Sequence, residues 1–263
     1  MKIAILCNTQ DEASINIHNH LQKMVKPEIG SHQVSLHLIE TESIYMENID
    51  EELGIDFAIF ATKHVSKSGV HSLSVHTQGN WGGADYGGSP KTLAMSPAAW
   101  LKEGLKILVR KAENMHYEAI QECTHHGPDM SCPSMFIEIG SALEEWQNES
   151  AGQAIAETII ELLKMKIPKY QTAIGIGGLH HTPSFAKVQL NSNVAVGHVC
   201  PKYNLQNLTK EMIIQAIEKT SPKAELVILD WKGLGQEKER IVTLLDEMKI
   251  EYKKTKSELF CFV

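Results

Sequence analysis

The chain lacks any apolar run long enough to cross a bilayer as a helix, which takes about 20 residues. Its first residues, "MKIAILCNTQDE", carry too short an apolar stretch for a signal-peptide core, and no small-residue cleavage site follows. Both absences predict a cytoplasmic protein with no membrane partner. Cysteine is scarce, odd in number and scattered (Cys7, Cys123, Cys132, Cys200, Cys261), without a C-x-x-C. That excludes a disulfide framework and fits buried free thiols in a reduced compartment. Positive charge is also in deficit: 25 Lys and Arg against 32 Asp and Glu, a formal net charge of −7. Such a balance argues against duplex DNA as a partner, because neutralised phosphates supply most of that affinity. It still allows a nucleic acid held by a local patch, for which "KIEYKKTK" (249–256) and "TKHVSK" (62–67) are the candidates.

Several signatures are missing as well. No H-E-x-x-H, no G-x-S-x-G and no Walker A sequence occurs, which disfavours a local zinc helix, a serine-hydrolase elbow and a phosphate-loop NTPase. "GIGGLH" (175–180) lacks the full G-x-G-x-x-G register, and Pro183 and Phe185 soon after predict that no helix follows it. Its glycines, with Gly177 and Gly178 foremost, are expected to let a substrate or a neighbouring backbone come close. "GLGQEK" (233–238) reads as a loop before a helix.

What is present is an alternation of strands and helices. "KIAILC" (2–7), "HQVSLHLIE" (32–40), "IDFAIFAT" (55–62), "HSLSVHT" (71–77), "YEAIQECT" (117–124), "SMFIEIG" (134–140), "YQTAIGIGG" (170–178) and "AELVILD" (224–230) predict strands, with two more near 185–190 and 193–199. Helices are predicted over 11–25, capped by Asn8 or Thr9, from Pro97 to about Met115, and over 148–165, 209–220 and 236–248. Between them "QGNWGGADYGGSPKTLAMSP" (78–97) is too rich in glycine and proline for either, and long loops of this kind in compact domains are usually functional. The pattern predicts one α/β domain over residues 1–263, three-layered α/β/α, with a mostly parallel or mixed sheet.

Thirteen histidines are the outlying feature. Ligands of open α/β sheets bind at the carboxyl ends of the strands, and there the sequence sets Asn8, Lys63, His64, His76, the pair His125–His126 and the pair His180–His181, with Glu138 inside a strand. Neighbouring strand side chains point to opposite faces, so one histidine of each pair is expected to face the cleft. Imidazole can ligate zinc and also serves as a general base near neutral pH; the residues alone leave both open.

The set "TKHVSKSGVHSLSVHTQGNWGGADYGG", "ECTHHGP", "FIEIGS", "GIGGLHHTP" and "GHVCPKY", in this order and spacing, resembles the archaeal and plant type of D-aminoacyl-tRNA deacylase, from the first strand to about Tyr203. The resemblance implies a phosphorylase/hydrolase-like α/β fold akin to peptidyl-tRNA hydrolase, an association with zinc, and hydrolysis of the ester between a D-amino acid and the tRNA 3′ end. The chain departs from the family pattern at His181 and Gly83, which favours His180 as the acting member of its pair. On this reading zinc, or His126 or His180 directly, activates water; His125, His126, Glu138 and His180 are the candidate metal ligands, with Glu138 otherwise orienting a histidine. Backbone N–H groups of 175–178 or of 78–88 are expected to face the oxyanion. Trp81 and Tyr86 are expected to stack on the terminal adenine, beside Asp85, and Lys63, Lys67 and Lys91 to hold acceptor-stem phosphates. A monomer is expected. Two other classes remain open from sequence: a zinc peptidase or amidohydrolase of small substrates, and a non-catalytic tRNA- or nucleotide-binding module.

Overall fold

The structure is a computed structural model describing residues 1–66, 69–257 and 260. In chain order the elements are β1 (Lys2–Asn8), α1 (Glu12–Leu21), β2 (Glu28–Ile29), β3 (His32–Ile39), α2 (Ile49–Leu53), β4 (Phe57–Val65), β5 (Ser72–His76), α3 (Ala98–Ala112), β6 (Glu118–Gln121) and β7 (Ser134–Ser141). There follow α4 (Leu143–Trp146), α5 (Glu149–Lys164), β8 (Gln171–Ile176), α6 (Pro183–Asn191), β9 (Val194–Cys200), α7 (Lys210–Glu218), β10 (Leu226–Leu229), α8 (Lys238–Glu247) and β11 (Tyr252–Lys254). Among the described residues no helix is long and apolar enough to cross a membrane.

The strands form two sheets. A seven-stranded mixed sheet has the order β2-β3-β1-β4-β7-β5-β6, and a four-stranded parallel sheet has the order β11-β10-β8-β9. Edge strands β6 and β9 approach each other where Thr124 N donates to Val199 O at 3.0 Å and Gln121 Nε2 to Val196 O at 3.2 Å. Helices flank both sheets, giving the three-layer α/β/α arrangement.

Strand periodicity decides what each face of the large sheet carries. Ile59 and Ala61 of β4, Ile137 and Ile139 of β7, and Leu73 and Val75 of β5 share one face, packed in a core with Ile17 of α1, Leu101 and Leu105 of α3 and Ile155 and Ile159 of α5. The alternate residues face the other way. There Ala4, Leu6, Ala58, Phe60 and Phe136 pack beneath Met46, Ile49 and Met130. Farther along the same rows come Thr62 and His64, Glu138, and Ser74 and His76, in the cross-strand register Thr62–Glu138–Ser74. Among the described residues no long helix covers this part of the face; the 78–97 loop does. Gly79 N donates to His126 O (2.7 Å), Gly127 N to Tyr86 O (2.9 Å) and Asn80 Nδ2 to Gly87 O (2.9 Å), which fixes the loop against the strands.

Four local expectations change. The 185–190 segment is helix α6, not a strand: Pro183 sits in its first turn, where its missing N–H costs nothing. Thus a helix does follow "GIGGLHHT". The cap of α1 is Asp11, whose carboxylate accepts from Ser14 N at 3.0 Å, and the helix ends at Leu21. Strand β6 stops at Gln121, which leaves Glu122 outside it.

Candidate active site

Strand β5 runs antiparallel to β7, so the carboxyl ends of β4 and β5 lie at opposite edges of the sheet. The histidines therefore meet on the face of the sheet, over β4, β7 and β5, and not at one row of strand tips. A pocket of about 760 Å³ opens there, within the roughly 300–1,000 Å³ usual for ligand sites. Its lining includes Asn8, Lys63, His64, Trp81, Asp85, Tyr86, His125, His126, Phe136, Glu138, His180 and Tyr203.

Three rings cluster at its base: His125 and His126 line it, and His76, fully buried, lies directly behind them. His76 stacks on His125 at 4.4 Å between centroids, and His126 meets His76 at 4.9 Å and His125 at 4.3 Å. Both members of the 125–126 pair face the pocket, contrary to strand alternation, because His126 has φ 49° and the left-handed residue turns its side chain back. In each ring Nδ1–H donates to a backbone carbonyl: His76 to Thr77 (3.2 Å), His125 to Cys123 (2.9 Å) and His126 to Gly127. That fixes the tautomer and leaves each Nε2 with a lone pair, as in histidines that ligate a metal through one nitrogen while a carbonyl holds the other. The three can offer ligand atoms within 4.8 Å of one another. His76 Nε2 is buried without a hydrogen-bond partner, and Glu138 Oε2 lies 3.5 Å from it. Burial, then the neighbouring rings, holds His125 well below the usual imidazole range, and burial beside His76 brings His126 to about 4. Both are neutral at physiological pH, as ligation requires. This donor set fits a zinc ion.

The wall beside the trio is a carboxylate-imidazole network that the sequence does not single out. Glu122, fully buried, accepts from His180 Nε2 at 2.8 Å and from His64 Nδ1 at 3.1 Å, with His125 Nε2 at 3.8 Å. Burial raises its carboxyl, but the bonds from His180 and His64 outweigh that and hold it well below the carboxylate range. Burial likewise pulls His180 down, and its bonds to Cys123 (Nδ1–Sγ 3.4 Å) and Glu122 override it, raising the imidazole to about 10. His64 is raised for the same kind of reason, chiefly by Glu122 against burial. Tyr203 Oη bonds both Cys123 Sγ (3.2 Å) and His180 Nδ1 (3.1 Å). Glu138, closer to the pocket, accepts from Thr62 Oγ1 at 2.7 Å. Other possible metal groups are His64–Glu122–Glu138, His64–His180–His181 and Cys123–His125–His180, but there the histidine nitrogens are partly spent on carboxylate, thiol or phenol partners.

Several expected roles change with the geometry. Trp81 is 1% exposed, so it cannot offer a face to a base, whereas Tyr86 is 68% exposed at the rim with Asp85. Asn8 is spent on the backbone, its amide donating to the carbonyls of Ile39, Glu40 and Thr41. Gly177 and Gly178 do not line this pocket, and Gly177 N is bonded to Cys200 O at 2.8 Å, so it has no hydrogen to offer an oxyanion. Lys63 lies 5.6 Å over the Trp146 ring at the pocket edge; Lys67 lies outside the described residues. Lys91 is exposed, away from the lining. His181 touches only the margin, 5.5 Å from His64. Glu122 could have been found from its place immediately before "CTHH", but the apolar alternation of "YEAIQECT" hides the strand end.

The family model for D-aminoacyl-tRNA deacylase matches residues 51–253. The chain belongs to the D-aminoacyl-tRNA deacylase family. It is 39% identical to the D-aminoacyl-tRNA deacylase of Thermococcus onnurineus over 80% of each chain. It is 34% identical to that of Pyrococcus abyssi over 96% of this chain and 99% of the other. A crystal structure titled a conserved protein of unknown function superposes with a TM-score of 0.89 at 30% identity, covering 100% of this chain and 98% of that one. The matched span carries His64, His76, Glu122, His125, His126, Glu138 and His180.

Proposed function

We propose that this member of the family hydrolyses D-aminoacyl-tRNA in the histidine pocket, adding water across the ester to release the D-amino acid and the free tRNA 3′ hydroxyl. Family membership supports the reaction; the converging free Nε2 atoms of His76, His125 and His126 are the observation that carries its siting. Those three residues would hold a zinc ion, which when bound supplies Lewis acidity towards the ester carbonyl. Glu138 Oε2, beside the trio and facing the pocket, is positioned to take a proton from the attacking water. His180, kept protonated by its partners, has no lone pair to act as a base. Its two N–H groups are taken by Glu122 and by Cys123 and Tyr203, so it acts on the developing oxyanion through its positive charge, and Glu138 passes the proton it took from water to the departing ribose oxygen. Glu122 acts behind it, orienting His180 and His64. Tyr86 and Asp85 at the rim are placed to meet the terminal adenosine. On this reading the protein acts as a monomer, and the tRNA substrate supports a cytoplasmic location.

The test is D-tyrosine release from D-tyrosyl-tRNA together with metal analysis on protein purified without chelator. His126→Ala is expected to lose both zinc and turnover, and His180→Ala to lose turnover while keeping the metal. Wild-type turnover in both variants would refute these roles.

A further inference from the structure

A second pocket, of about 980 Å³, opens at the carboxyl edge of the four-stranded sheet. Its walls are the segments that follow β8, β9, β10 and β11, all parallel. The chain leaves β8 through α6 to β9 on one side and returns to β10 on the other, so the β8–β10 crevice is the sheet's switch point, where α/β sheets bind ligands. Gly178 and Gly233 press their backbones together there: a Cβ on Gly233 would lie 2.3 Å from Gly178 N.

The charge of this pocket opposes that of the molecule. Lys202, Lys232, Lys254 and Lys256 line it, all exposed, against Asp230 and Glu237. Both carboxylates are occupied, Asp230 accepting from Gly233 N at 3.1 Å and Glu237 from Arg240 Nε at 2.6 Å. Among the described residues none of the four lysines is in an ion pair. Lys254 Nζ instead rests 3.9 Å from the Trp231 ring, with Lys238 Nζ at 4.9 Å, so the indole gathers cations at the pocket wall. The histidine pocket has the opposite balance: its lining holds one lysine, Lys63, against Asp11, Glu42, Asp85 and Glu138. Even with the protonated His180 added, carboxylates outnumber its fixed cations, which makes it the poorer grip for phosphates. The two cavities adjoin, since Tyr203 lines both, and Leu179 of one precedes His180 of the other.

We propose that the lysine pocket is the subsite for the phosphate backbone of the tRNA 3′ strand just upstream of the terminal adenosine, whose ester enters the histidine pocket. The inference rests on the deacylase reading and assigns the polyanion grip that a chain of net charge −7 must supply locally. Trp231 is a positioning residue that preorganises Lys254.

The test compares wild type with Lys232→Ala/Lys254→Ala/Lys256→Ala on two substrates, D-tyrosyl-tRNA and D-tyrosyl-adenosine, the second lacking phosphates. On the tRNA substrate KM is expected to rise at least about tenfold with kcat retained. The slope of log kcat/KM against log salt should flatten by about 0.7 per lost phosphate contact. Turnover of D-tyrosyl-adenosine should be unchanged. Trp231→Ala should raise KM for the tRNA substrate, and Trp231→Phe should restore it. An unaltered KM and salt slope on tRNA, or an equal loss on both substrates, would overturn the assignment. So would saturable binding of inorganic phosphate alone with no effect of the variants on tRNA. If wild type fails to turn over D-tyrosyl-tRNA, the deacylase reading falls. Direct binding of uncharged tRNA then decides the subsite: weaker binding by the triple variant supports it, equal binding refutes it.

Discussion

Replacing Glu122 by Gln keeps the shape of the network and one acceptor oxygen but removes the buried charge on which two imidazoles depend. At the 2.8 Å separation of Glu122 and His180, Coulomb's law with an effective dielectric of 20 gives about 6 kcal/mol as a ceiling. The His180 side chain is 33% exposed, and solvent screening reduces the effect to about two pKa units, roughly 3 kcal/mol. His180, held at about 10 in the wild type, should then titrate near 8. The sign follows from its charge: turnover needs the protonated ring, so activity falls as pH rises through its pKa, and Glu122→Gln should bring that fall about two pH units lower. Stability moves differently. A depressed carboxyl pKa contributes above the unfolded value of about 4.3 and is lost on acidification, so the variant should be less stable than wild type at neutral pH, with the gap closing in acid. The assays are D-tyrosine release from D-tyrosyl-tRNA across pH, imidazole titration by proton NMR, and denaturant unfolding at two pH values. An unmoved alkaline limb with an unmoved His180 titration would refute the role of its charge and the electrostatic coupling behind it.

Other parts of the molecule give sharper mechanical tests. Lys102, buried on α3, donates its ammonium hydrogens to the carbonyls of Gln189, Ser192 (2.7 Å) and Val194 (3.0 Å); Lys102→Met should cost about 3 kcal/mol, seen as a drop in Tm of about 6–10 °C. Gly87 has φ 74°, and a Cβ there would sit 1.8 Å from Ile44 O, so Gly87→Ala should displace the 78–97 loop and raise KM more than it lowers Tm. Trp81→Phe should leave KM for the tRNA substrate unchanged, because its indole is out of a base's reach; a tenfold rise would reinstate it as a stacking surface.

Much of this was legible because strand and helix periodicities survive in the central elements. The strands read at 2–7, 55–62 and 134–140 and the helix read at 148–165 fall on β1, β4, β7 and α5 to within about three residues at either end, and His64, His125, His126, Glu138 and His180 do line one pocket. The partition into two sheets was not legible, since it depends on β6 and β9 meeting through residues 121–124, a long-range event with no local pattern. Strand β11, "YKK", hid because an exposed three-residue edge strand needs no apolar alternation. The antiparallel β5 hid for a related reason: strand direction leaves no trace in composition, yet it moved the site from the sheet's edge to its face. His76 as the buried ring behind the pocket and Glu122 as the hub both follow from that relocation.

The rows that carry Thr62, Glu138 and His76 interleave one for one with Ala61, Ile137 and Val75 of the main core. Reactive layer and oily layer are thus two sides of a single ribbon. Deleting or inserting one residue in β7 would carry Ile137 into the water-facing row and bury Glu138 among α3 and α5. Along these strands a change of side chain acts on one position, whereas a change in the count of residues turns both faces over at once.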